Sequence, residues 1–396
     1  MIYKYYQKFY IQFKNSFIMI RKISKTINDH TNDGLNVLYF SIFIRSLAES
    51  MIGIFIPVYF LTQGHTLTQI WLYYIILYGI LTIAFPLFLY LNKFGLKKNM
   101  ILGTIFFTVG YYFINQVTTS TELYLLAVIN GLGLASYYAG YNIQLANALD
   151  YDKEGTQLAI ESGIMIFSSV IGPILGAIII SAVSFNVAFI SAMIMMMLSI
   201  IPLFFTKEKR INEFEFKPKK IILEETIVNK IIFTIQGAIA LLSGTIWAIF
   251  IYLTLKDVVP LGAILSITAL LMIVITIIIG KLSDKHIKNT FAVGTVGHAI
   301  SWPARLLLLS PFGLFVSNII NGITGTAVDI PIGKITFANS KKSKNISNYF
   351  MLKEICLGIG RIAILVLAIL LNNLYFLFIA AFFITFGYAI AIKKLK

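Results

Sequence analysis

Apolar positions in this chain run in long stretches, without the strict alternation of half-buried strands or the narrow stripe of a soluble amphipathic helix. Twelve such stretches stand out, at roughly 35–61, 69–91, 100–117, 121–148, 156–181, 184–205, 229–255, 259–280, 290–309, 312–337, 346–371 and 373–392. About 20 apolar residues in a helix cross the hydrocarbon layer of a bilayer. A helix also satisfies its own backbone hydrogen bonds, which lipid cannot do. The pattern therefore predicts an all-α membrane protein with twelve transmembrane helices. An even number of spans places both termini on one side.

The polar interruptions recur at a fixed spacing. Asn321–Asn339 reads NGITGTAVDIPIGKITFAN, and Asn130–Asn147 reads NGLGLASYYAGYNIQLAN. Asn130 and Gly131 map onto Asn321 and Gly322 by a shift of 191, and Gly133, Ala146 and Asn147 onto Gly325, Ala338 and Asn339 by 192. Glu161 and Glu354 are 193 apart, early in the fifth and eleventh spans. The chain thus reads as two copies of one long unit, a plan common among secondary transporters. The division predicted is a cytoplasmic amphipathic tail over 1–34, a six-helix bundle over 35–205, a linker over 206–228 and a second six-helix bundle over 229–396. The two bundles are expected to be pseudo-symmetric.

Composition agrees with lipid exposure: 58% of residues are hydrophobic and 12% charged, against roughly 25% charged in soluble domains. The net charge of +15 would suit a nucleic-acid binder if it formed one face. Instead, 27 of the 32 Lys and Arg fall in the tails and short loops of one side, with Lys256 alone on the other. That asymmetry is the positive-inside rule; it sets both termini in the cytoplasm and excludes nucleic acid as the partner. The remaining four, Arg45, Arg305, Lys353 and Arg361, lie within spans.

Little enzymatic chemistry is encoded. Cys356 is the single cysteine, so no intramolecular disulfide or cysteine pair for a metal can form. His30, His65, His286 and His298 show no ligand spacing, and no phosphate-binding glycine loop or nucleophile elbow is present. No metal or other cofactor is expected.

The N-terminal tail places Ile2, Tyr5, Tyr6, Phe9, Phe13 and Phe17 at helical spacing with Lys4, Lys8 and Lys14 between them, which suits a helix lying in the membrane interface. Arg45 and Glu49, four residues apart, share a helical face. Charges at such depth tend to pair or to face a cavity. Asp329 has no basic residue within a turn, Lys334 being one and a half turns away. Because a low-dielectric surround disfavours an unpaired charge, Asp329 is a candidate proton carrier or cation ligand. Its alternative is a neutral carboxyl bonded to Thr324, Thr326 or a neighbouring helix. Arg305, beside Trp302 and Pro303, is expected to snorkel to the outer surface.

Two loops carry a family signature. Gly280-Lys281-Leu282-Ser283-Asp284-Lys285-His286-Ile287-Lys288 resembles the G-x-L-x-D-R-x-G-R-R loop of the major facilitator superfamily, matching at Gly280, Leu282, Asp284 and Lys285, with Lys288 a basic substitute. The segment 91–98 is its echo, keeping Lys93, Gly95 and Lys97, with Asn92 in place of the acid and Phe88 in place of the opening glycine. Gly172-Pro173-Ile174-Leu175-Gly176 is similar to the GPxxG core associated with antiporters of that family, whereas Ala127 stands where its drug–proton antiporters carry an arginine. The resemblance spans about 35–393.

The resemblance implies alternating access and a cavity lined by the first, fourth, seventh and tenth helices. On this chain those helices supply Arg45 and Glu49, then Tyr137, Tyr138, Tyr141, Asn142 and Gln144, then Gln236 and Trp247, then Asp329. It also implies a cytoplasmic gate at the two loops (Asn92, Lys93, Gly95, Gly280, Asp284, Lys285, Lys288), and the repeated acids Glu161 and Glu354, near the cytoplasmic ends of their spans, are expected to join it. A contact of Lys285 or Lys288 with Glu161 is one expected closure; neutralisation of Glu354 by nearby Lys353 or Arg361 is its local alternative. The function implied is secondary active transport of a small solute, with protons as a candidate coupling ion, by a monomer in the cytoplasmic membrane. The alternatives are a non-transporting sensor or assembly partner on the same fold, a drug–proton antiporter, and a membrane-embedded enzyme.

Overall fold

A computed structural model describes residues 33–149, 154–205, 225–342 and 346–392. The expected interfacial tail and most of the linker lie outside the described residues.

The first half of the chain forms α1 (Asp33–Ile52), α2 (Ile56–Thr62), α3 (Leu67–Leu91), α4 (Leu96–Phe113), α5 (Ser120–Ala148), α6 (Glu154–Ala182) and α7 (Phe185–Phe205). The second half forms α8 (Ile227–Leu241), α9 (Trp247–Leu255), α10 (Val258–Lys285), α11 (Ile287–Ala304), α12 (Pro311–Lys342), α13 (Ile346–Leu371), α14 (Leu374–Phe386) and α15 (Ala389–Ile392). A π-helical turn, Leu242–Ile246, joins α8 to α9, so the two are one helix with a local bulge. Every predicted apolar stretch coincides with a helix or a bent helix pair.

Among the described residues, eight of these stretches are long and apolar enough to cross a membrane, Gly34–Thr62 and Val258–Lys285 being two of them. Leu374–Phe386 is apolar but shorter. The helices α4, α11 and α12 carry more polar side chains, yet each also exposes apolar residues such as Ile105, Val293 and Ile320. The mature contrast is on α10. Its Ile267, Leu270, Leu271, Val274, Ile277 and Ile278 are exposed, as a lipid-facing stripe should be, while Gly262 and Ser266 turn inward.

Local sequence sets the helix ends. Thr66 with Gln69 and Thr119 with Glu122 form capping boxes that start α3 and α5, and Asp257 and Asn373 cap α10 and α14. Between α3 and α4 the chain turns at Gly95, whose φ of 139° a side chain would oppose.

Packing follows the sequence repeat. In the first half α5 packs against α3 and α4, α1 against α6, and α4 against α7. In the second half α12 packs against α10 and α11, α8 against α13, and α11 against α14. The halves meet where α6 packs on α10 and α3 on α13, with a lesser contact of α2 and α9. Small residues permit these crossings. A Cβ on Gly262 would stand 2.7 Å from the Pro173 carbonyl oxygen, and one on Gly358 would stand 1.9 Å from Thr82 Oγ1. Pro173 lies inside α6, and the Ile174 amide donates to Ser266 Oγ on α10 at 3.0 Å. The glycine–proline motif thus does what its residue types allow: Gly172 and Gly176 seat α6 against the Ser50–Met51 backbone of α1.

Candidate functional site

Two polar cavities lie among the helices. The larger, about 620 Å³, is lined from α6, α8, α10, α11 and α12, with Ser243 of the π-helical turn and Tyr388. The smaller, about 390 Å³, is lined by residues of α3, α5 and α13. They flank the crossing of α8 and α13, where Gly237 sits against the Leu357 carbonyl.

Asp329 and Gln236 line the larger cavity, as do His298, Asn321 and Thr326. Asp329 is exposed to this space. Lys334, the base nearest to it in sequence, is engaged elsewhere: its Nζ stands 2.5 Å from Asp284 Oδ1 and donates to Ser283 Oγ at 3.3 Å. Among the described residues Asp329 has no ion pair, and the expected bond to Thr324 or Thr326 is not formed. Thr324 donates to the Ile320 carbonyl instead. His298 is buried against α12, beside Gly325, where its Nδ1 is 3.3 Å from Thr324 Oγ1 and 3.4 Å from Asn321 Nδ2.

Tyr138, Asn142 and Glu354 line the smaller cavity with Tyr78, Lys353 and Arg361. Arg361 pairs with Glu354 at 2.6 Å, and its guanidinium lies 5.0 Å from the Tyr78 ring across the junction of the halves. Local neutralisation of Glu354 is therefore present in this structure.

Arg45 and Glu49 form an ion pair at 2.6 Å outside the two cavities. The guanidinium is 3.5 Å from the Tyr137 ring centroid and donates to Thr104 Oγ1 at 3.0 Å, tying α1 to α4 and α5. Trp247 is likewise enclosed, stacked on Phe250 and edge-on to Phe378. Arg305 departs from expectation. Rather than reaching the surface it is 1% exposed, with its guanidinium 3.9 Å from the Trp247 ring and 4.6 Å from the Trp302 ring. Two indole faces offer the cation a favourable site inside the protein, which the sequence could not show because Trp247 is distant along the chain.

The loop residues stay within their own halves. Asn92 is buried and donates to the Ala139 carbonyl at 2.9 Å while accepting from Asn99 at 2.7 Å. Lys93 contacts the Tyr90 hydroxyl, and Gly95 makes the turn. Gly280 is half-buried, and Asp284, Lys285 and Lys288 are exposed. Glu161 accepts from Tyr141 and Ser162, both in its own half, and no bond to Lys285 or Lys288 is present among the described residues. The site residues that the sequence did not single out are His298, Asn321, Ser243 and Tyr388. Each became visible only when its helix was placed against the cavity; a lone histidine in an apolar stretch carries no pattern of its own.

Residues 38–336 match the family model described as Major Facilitator Superfamily. The chain belongs to that superfamily. Among solved structures it is similar to the nucleoside transporter NupG, with a TM-score of 0.67 at 16% identity, covering 92% of this chain and 100% of that one. It is also similar to a POT family transporter in complex with 5-aminolevulinic acid, with a TM-score of 0.68 at 15% identity, covering 91% and 96%. At these identities the likeness is one of fold. A search of curated proteins gives no match.

Proposed function

We propose that the protein is a secondary transporter that moves a small solute by alternating access. In this reading its twelve helical segments all span the membrane as two six-helix bundles, 35–205 and 229–396, with both termini cytoplasmic and the monomer as the working unit. One observation carries the proposal. The same helix pairings recur in both halves, and the halves meet along few crossings that leave polar cavities beside them. Such a body can rock about its crossings and expose the cavities to each side in turn.

The junctions of Gly262 with Pro173 and of α2 with α9 lie at the end of the helices that the charge asymmetry places outside. Asn92, Lys93 and Asp284 at the opposite end bond within their own halves. Together these support an inward-facing state, in which the cytoplasmic gate assigned to Asn92, Lys93, Gly95, Glu161, Gly280, Asp284, Lys285, Lys288 and Glu354 is open. Proton coupling through Asp329 belongs to the same reading.

Flux into proteoliposomes under an imposed proton gradient tests the proposal. Saturable accumulation of a solute is expected, with its pH dependence lost in Asp329→Asn. Specific binding without accumulation would instead identify a sensor or assembly partner on a transporter fold.

A further inference from the structure

The larger cavity is chemically one-sided. Asp329 is its one formally charged lining residue, and no Lys or Arg lines it among the described residues. The basic groups that could neutralise it are committed elsewhere, Lys334 to Asp284 and Arg305 to two indole faces. A second acceptor waits in the same wall. Gln236 Oε1 is buried and has no hydrogen-bond partner. Buried acceptors without donors are costly, and a carboxylate without a counter-charge more so. The site therefore lacks both a counter-charge and a hydrogen-bond donor.

Its remaining walls are apolar, with Ile166, Ile239, Met272 and Ile330 among them. About 620 Å³ is within the range of small-molecule sites, roughly 300–1,000 Å³. No group of three or more His, Cys, Asp or Glu able to hold a metal ion occurs among the described residues, so a transition-metal ion lacks a ligand set here. The smaller cavity has the opposite balance, with Lys353 and Arg361 against Glu354 alone.

We infer that the larger cavity binds an organic ammonium ion with an apolar body. Its N–H groups donate to the Asp329 carboxylate and, once the Gln236 side chain turns its shielded Oε1 to the cavity, to that oxygen, and its body lies on the aliphatic walls. This names the substrate class of the transporter proposed above and rests on that reading.

The test uses the full chain in lipid nanodiscs and three probes sharing one aromatic body: phenethylamine, phenethyl alcohol and 3-phenylpropionate. Calorimetry should show the amine binding at least about tenfold more tightly than either of the others. Asp329→Asn should remove that preference, and Gln236→Leu should weaken amine binding several-fold. Equal or tighter binding of the alcohol or the carboxylate to the unmodified protein overturns the inference without recourse to any variant. So does an unchanged amine affinity in Asp329→Asn, or the absence of amine binding. Flux separates this inference from the reading beneath it. Amine bound but never accumulated upholds the site and removes the transporter; accumulation of another solute without amine binding upholds the transporter and overturns the ammonium site.

Discussion

At the scale of the residue, Arg45, Arg305 and Arg361 find three different arrangements, and only Arg45 pairs with an acid one turn away on its own helix. Arg45 is neutralised by Glu49 and clasped by Tyr137 and Thr104. Glu49→Gln removes the counter-charge from a nearly inaccessible guanidinium and should lower stability by roughly 1–3 kcal/mol, Glu49 itself being partly exposed. Thermal unfolding in detergent measures this, and an unaltered midpoint would mean that Tyr137 and Thr104 suffice. Arg305 has two aromatic faces and no carboxylate partner among the described residues, with its Nε and Nη1 unbonded. Arg305→Met keeps the length and sheds the uncompensated charge, so it should unfold at the same temperature or higher. Arg305→Ala empties the space between the indoles and should cost roughly 2–5 kcal/mol. Tryptophan fluorescence of Trp247 and Trp302 reports both variants, and a large loss in Arg305→Met would show that the charge itself is needed.

At the scale of the element, the decisive residues are those with no side chain. A Cβ on Gly176 would meet the Met51 carbonyl oxygen at 1.9 Å, and one on Gly360 would meet that of Thr234 at 1.8 Å. The two stand at different positions of the repeat, yet each holds the fifth helix of its half against the first. Gly176→Ala forces backbone from backbone and should cost roughly 1–3 kcal/mol, the scale of overpacking. Gly79→Ala, with nothing within 4 Å of the added carbon, should be neutral or gain up to about 1 kcal/mol from the better helix former. The comparison of the two melting temperatures decides the matter, since equal shifts would deny any role to close approach. Here the sequence was partly informative. The Gly172–Gly176 motif announced a tight crossing, but its partner on α1 and the matching contact of Gly262 required the folded chain.

At the scale of the whole molecule, the proposed rocking of the halves requires the junction of α6 with α10 to open. A Cβ on Gly262 would lie 2.6 Å from that of Ala177, slightly nearer than the 3.5–4.5 Å of a disulfide. In a Cys356→Ser background, Ala177→Cys with Gly262→Cys should cross-link on oxidation once α10 shifts from α6 by about 1 Å, the shift that the Pro173 carbonyl 2.7 Å from the added Cβ also demands. The cross-link should arrest flux and release it on reduction. Undiminished flux through the oxidised protein would remove the rocking of halves from the mechanism.

The sequence by itself determined the membrane class, the approximate places of the helices, the repeat and, through Asp284 and its neighbours, the superfamily. These are properties of composition, period and local spacing, which survive without knowledge of what packs on what. Asp329 also stood out unaided, because an acid in an apolar run is conspicuous on its own. What the tertiary structure decided was pairing across distance. Lys334 turned to Asp284, Arg305 was drawn between two tryptophans from different helices, Glu161 was satisfied by Tyr141, and His298 was carried to the wall that Asp329 shares. The physical reason is that a buried polar group is settled by whichever partner the packed backbone brings within about 3 Å, and no linear pattern specifies a contact between helices dozens of residues apart.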